Sequence, residues 1–284
     1  MKIRKPHVAG AFYAGSKTAL QDQIEHCFTH KLGPGHVPKV AQGPKKILGV
    51  VVPHAGYLYS GPVAAHSYAQ LASDGVPDSI IILGPNHTGL GSGVSMMTKG
   101  AWETPLGIVP IDNVLAEQIR KSSTIIDEDE AAHLSEHSIE VQLPFLQYLY
   151  GEQIRFVPIC MMMQDLQTSQ EIAKSIADHS RGKHITVIAS SDFTHYEPGE
   201  VATRKDNSAI NTIIDLDSPK LNGLGETGQV TMCGYGPITV LMELARIQGT
   251  AKARLLAHHS SGDITNDSGS VVGYAAILFT REEE

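Results

Sequence analysis

Residues 45–61, "KKILGVVVPHAGYLYSG", decide how this chain is expected to fold. From Ile47 to Val52 the run is apolar without interruption and lacks the polar alternation that a strand with one wet face would carry. It therefore reads as a strand covered on both sides. Pro53, His54 and Gly56 end the run, and Pro62 stands where a helix carrying Val63, Ala64 and Tyr68 can open. An imidazole beside glycine at the end of a buried strand calls for an explanation. The same ending returns in "SIIILGPNHTGLGSG" (79–93) and in "HITVIASSDFTHYEPG" (184–199).

Outward from these stretches, apolar runs at 79–83, 154–159, 184–189 and 270–279 predict further buried strands. Helical patterns alternate with them. Ser16 suits the cap of a helix carrying Leu20, Ile24 and Phe28, and others are expected over 112–121, 136–150, 168–180, 200–214 and 237–248. Residues 94–109 read as a hairpin around Lys99 and Gly100. Strands alternating with helices define an α/β layered domain on one central sheet. Residues 32–44, "LGPGHVPKVAQGP", come closest to a linker, so residues 1–284 are read as a single domain with 1–44 as an N-terminal arm and helix packed on it.

Composition narrows the function classes. A formal net charge of -8 and the lack of a basic stripe argue against nucleic acid and anionic membrane, which both require clustered Lys and Arg. No apolar run has the length of a signal peptide or a membrane span, so a cytoplasmic protein is expected. Cys27, Cys160 and Cys233 are scattered and form no CxxC pair, which points away from a disulfide framework or a structural zinc site. Histidine, in contrast, occurs 14 times.

Ligands of open α/β sheets bind beyond the carboxyl ends of the strands. Three runs deliver His54, His87 and the pair Asp192 and His195 to such ends. Imidazole suits iron, zinc or copper, so His54 and His87 are read as metal ligands; a structural histidine is the alternative. Cys233, in "TMCGYGPITV", precedes glycines and a helix start that, with a nearby cation, would lower its thiol pKa, and is either the third ligand or a small buried hydrophobe. Asp192 and His195 would meet across a helical turn as a general acid/base pair, or else cap and bond the backbone separately. Glu136, His137 and Glu140 in "HLSEHSIEVQLPF" are read as support for the ligands, as a substrate wall, or as an exposed polar face. The glycines of "LGPNHTGLGSG" match neither a P-loop nor a dinucleotide fingerprint, and "ASSD" lacks the GxSxG elbow of serine hydrolases.

Taken in order, "AGAFY", "VVPHAGYLYSG", "ILGPNH", "EHSIEVQLPF", "SSDFTHY" and "CGYGP" resemble the Memo family, over almost the whole chain. The resemblance implies a single α/β domain with a central mixed, largely parallel sheet flanked by helices, similar to class III extradiol dioxygenases. It implies His54 and His87 as metal-binding histidines, Cys233 as third ligand, and Asp192 and His195 as the pocket pair. Fe(II) is the expected cofactor, with copper or zinc as alternatives. In the dioxygenases the third ligand is a carboxylate; a thiolate is softer and oxidisable, which argues against ring cleavage itself. The implied function is a metal-dependent oxidoreductase acting on a small aromatic substrate. The alternative is a non-catalytic iron-, copper- or peptide-binding protein in a pathway with AMMECR-type and radical-SAM proteins.

Overall fold

The computed structural model describes residues 2–249 and 251–281. The chain opens with β1 (Ile3–Arg4) and α1 (Lys17–Thr29), then runs through β2 (Ile47–Val52), α2 (Tyr57–Asp74) and β3 (Ser79–Pro85). Three short strands follow, β4 (Val94–Met96), β5 (Ala101–Thr104) and β6 (Gly107–Pro110), and then α3 (Asn113–Ser122) and β7 (Asp127–Glu128). The middle of the chain supplies α4 (Leu143–Tyr150), β8 (Phe156–Met161), α5 (Leu166–Ser180), β9 (Ile185–Ser190) and β10 (His195–Glu197). The last part contains α6 (Gly199–Ile214), α7 (Ser218–Glu226), α8 (Tyr235–Gln248), β11 (Ala251–Ser260), α9 (Gly262–Thr265) and β12 (Val271–Arg281).

The main sheet is mixed, in the order β10-β12-β2-β9-β3-β8-β4-β7, with β11 paired to β12. Its centre, β2-β9-β3-β8, is parallel, and β12 and β4 flank that centre antiparallel. Every residue of β2, β3, β8 and β9 is buried. That follows from the covering helices: β2 takes contacts from both α2 and α8, while α5 packs on α8 and α1 on α2. The architecture is thus α/β, a mixed sheet flanked by helices, as the alternating pattern implied.

Three local expectations fail for identifiable reasons. The expected hairpin at Lys99–Gly100 instead turns after Thr104, because β1 adds to β5 and Ala101 N–H donates to Lys2 O, while β4 joins β8 in the main sheet. Pro62 lies inside α2 and does not open it; Tyr57 N–H donates to Phe12 O, which starts the helix five residues earlier. The expected helix over 136–150 is regular only from Leu143, after a single 3-10 turn at Glu140–Gln142. Upstream, Ser138 N–H is taken by the Glu136 carboxylate, a side-chain bond that competes with helix formation.

The N-terminal segment is fixed by one buried cluster. Glu140 is fully buried and accepts from Arg4, His7 N–H, Val8 N–H and the Tyr13 hydroxyl. Arg4 also donates to His133 O (2.7 Å) and Glu136 O (2.9 Å) and lies 4.2 Å from the Trp102 ring centre. The arm and residues 133–140 therefore hold each other in place. No described helix is long and apolar enough to cross a membrane.

Candidate metal centre

Parallel order puts the carboxyl ends of β2, β3 and β9 along one edge, and the motif residues follow directly. His54 lies two residues beyond β2, His87 two beyond β3, and Asp192 two beyond β9. The "EHSIEVQ" segment crosses the same edge, at Gly84: a Cβ there would stand 2.4 Å from Ser138 Oγ. Gly84 thus lets the segment approach close enough for Ser138 Oγ to donate to Pro85 O at 3.0 Å.

Three imidazoles converge here. One nitrogen each of His54, His87 and His137 lies within 4.8 Å of the others, the one group of this kind among the described residues. The rings of His87 and His137 stack at 4.6 Å, and His54 stands edge-on to both.

The hydrogen bonds fix the tautomers. Ser190 Oγ donates to Ser138 O (2.7 Å) and accepts from Gln142 Nε2 (2.9 Å), so its 2.8 Å bond to His54 Nδ1 requires the proton on the imidazole. Nε2 of His54 is then a bare lone pair. Glu136 does the same for His87, accepting from Nδ1 at 2.9 Å and from the His87 backbone N–H at 2.6 Å. A histidine whose second nitrogen is held by a carboxylate or other oriented acceptor is the usual arrangement around a bound metal. Burial opposes the Glu136 charge, yet the bond from His87, the His87 charge and the N–H donors of Ser138 and His87 outweigh it and hold the carboxyl at about 2.

Two of the imidazoles, His54 and His137, are shifted towards the neutral form, the one that ligates metals. Burial first, then repulsion from His137, His87 and His195, pushes His54 well below its ordinary range. Burial also lowers His137 to about 4, against the pull of Glu136. Phe12 of the N-terminal arm lies 4.7 Å from the His137 ring and walls this side.

Cys233 enters from the loop before α8. Its sulphur lies 3.1 Å from His54 Nε2 and accepts from Asp192 N–H at 3.3 Å. Gly234 permits the approach, since a Cβ there would meet Ser190 O at 2.3 Å. In the metal-free chain burial, then the Asp192 carboxylate, drives the thiol pKa up. The metal-free site therefore holds a thiol, and a cation must displace its proton to gain a thiolate.

Asp192 and His195 are not a bonded pair among the described residues, because the turn after β9 is not helical. Asp192 accepts from His54 N–H at 2.8 Å, and burial raises it to about 6 despite that bond. His195 is half-buried, and its Nδ1 donates to Thr231 O at 2.8 Å, leaving Nε2 as an acceptor. Ser190, Gln142 and Arg4 also belong to the site's support, without a sequence signal of their own. Ser190 and Gln142 stand inside quoted motifs, but nothing local marks Arg4, whose partners lie about 130 residues away.

The buried histidines predict acid sensitivity. His133 donates Nε2–H to Ser95 O, and burial, then Arg4, lowers it to about 4. As pH falls from 6.5 towards 4 the unfolded chain takes up this proton and the folded chain does not. Stability is therefore full above pH 6.5 and falls through that window by about 3 kcal/mol for this one group. Urea unfolding of metal-free protein at pH 7 and pH 5 checks this, with a shallower slope expected for His133→Gln; equal stability at both values contradicts it.

Fold and site define an α/β protein with a cluster of three histidines, flanked by one cysteine, at the carboxyl edge of a mixed sheet. The Memo-like protein family matches residues 4–278, and the chain belongs to that family. It is 50% identical to a MEMO1 family protein of Methanopyrus kandleri over 280 residues, 98% of this chain and 99% of the relative. A MEMO1 family protein of Saccharolobus islandicus is 51% identical over 281 residues, 97% of this chain and 99% of the relative. Among solved structures, an uncharacterised Escherichia coli protein shares the fold with a TM-score of 0.50 at 13% identity, over 82% of this chain and 100% of the other.

Proposed function

We propose that this chain is a non-haem metal protein of the Memo family that acts as a metal-dependent oxidoreductase on a small organic substrate. The observation that carries the reading is the convergence of His54, His87 and His137, with Cys233 against His54 Nε2. The donor set fits the group. Neutral imidazoles and a thiol suit iron, copper or zinc and do not suit magnesium or calcium, which prefer oxygen. His54, His87 and Cys233 would hold the ion, with His137 as an additional donor. Bound Fe(II) would supply one-electron chemistry and a Lewis-acid position for substrate.

The remaining steps belong to the side chains. His195 takes a proton from substrate at Nε2, because Nδ1 is committed to Thr231 O. Asp192 positions the ligands: it ties the His54 backbone to the Cys233 loop and does not touch His195 through a hydrogen bond. Phe12 limits water at the His137 side. Loading anaerobically purified protein with Fe(II) and following oxygen uptake with catechols and aminophenols tests the reading. Uptake that His195→Ala abolishes while iron is retained supports it. Retained iron with no uptake on any substrate leaves a metal-binding protein without turnover.

A further inference from the structure

Tyr196 combines three properties that do not ordinarily coexist. Its φ is 59°, in the left-handed region that bulky side chains avoid. It is 78% exposed, so little packing returns for that strain. Its hydroxyl has no hydrogen-bond partner among the described residues, and its one ring contact is His195, edge-on at 5.7 Å.

The strain is imposed by the neighbours. His195 pairs with Val272 and Glu197 with Val271, two steps along β10 against one along β12, so Tyr196 is the extra residue of a bulge. His195 is pinned twice to Thr231, and Glu197 is paired with Lys205. Glycine would occupy such a position without penalty. A tyrosine held there, facing water beside a site histidine, is an outlier of the kind that marks function.

A second exposed aromatic lies close to His54 in the chain. Leu58 and Tyr59, just past His54 at the start of α2, are 65% and 39% exposed. Tyr59 and Tyr196 both lie near enough to the buried Tyr274 hydroxyl to act on it together with Asp192, although burial is the larger influence there.

We propose that Tyr196 is a specificity-determining residue, its exposed ring stacking on an aromatic ring of the molecule that reaches His195 and the imidazoles. The proposal rests on the reading of the site as a metal centre. Aromatic pairs favour offset or edge-to-face contact, which an exposed ring beside His195 can offer and a glycine cannot.

Two chelators separate this role from a structural one. In Fe(II)-loaded protein without oxygen, 4-nitrocatechol presents an aromatic ring and acetohydroxamate does not. Tyr196→Asn, which tolerates the left-handed backbone, is expected to weaken 4-nitrocatechol about five-fold and to leave acetohydroxamate, iron content and melting temperature unchanged or, for melting, higher. Tyr196→Phe should bind both chelators as the wild type does. Unchanged 4-nitrocatechol affinity in Tyr196→Asn, or equal loss of both chelators, overturns the proposal while leaving the metal centre standing. Failure of the wild type to hold iron removes the metal centre and this proposal together.

Discussion

Replacing Glu140 by alanine is expected to destabilise the fold by about 3–5 kcal/mol, the range for breaking a buried ion pair from one side. Arg4 would be left charged and buried with only carbonyl partners, and His7 N–H, Val8 N–H and the Tyr13 hydroxyl would lose their acceptor. The damage should begin at the N-terminal arm. Hydrogen exchange should accelerate over residues 3–15 before the central strands open, and Phe12 should leave the His137 ring. Urea unfolding with exchange measurements reads both effects. A loss below about 1 kcal/mol, with the arm still protected, would show that the cluster does not hold it.

The second large effect concerns the centre. His54→Ala or His87→Ala should reduce metal affinity by more than about 100-fold, since loss of a merely supporting group already costs 10- to 100-fold. Glu136→Gln should fall in that smaller range: the amide cannot serve His87 as a charged acceptor, but the imidazole remains. Cys233→Ser should weaken metal strongly, and His195→Ala should leave it nearly unchanged, because His195 Nδ1 is bonded to Thr231 O. Competition titrations with a chromophoric chelator give these affinities. Equal losses in His195→Ala and Cys233→Ser would remove the division of roles.

The strands were legible because burial on both faces leaves continuous apolar runs, as in Ile47–Val52 and Ser79–Pro85. β11 was not, since Lys252, Arg254, His258 and His259 interrupt its pattern along the outside of the sheet. α7 escaped because Gly223 and Gly225 weaken its helical signal, although its packing on α8 secures it. Within the site, His54 and His87 stood out as ends of buried strands. Glu140 also belonged to a motif, but its full burial depends on an arginine 136 residues away, a relation that no local pattern carries. The same holds for His137, which reaches the other two imidazoles only because Gly84 admits its segment to the strand edge.

Anomalous scattering from crystals grown without oxygen tests the central claim most directly. One transition-metal peak is expected among His54, His87 and His137, with the sulphur of Cys233 bonded to it. No metal after loading, or a metal bound away from these imidazoles with the thiol left unligated, would contradict it.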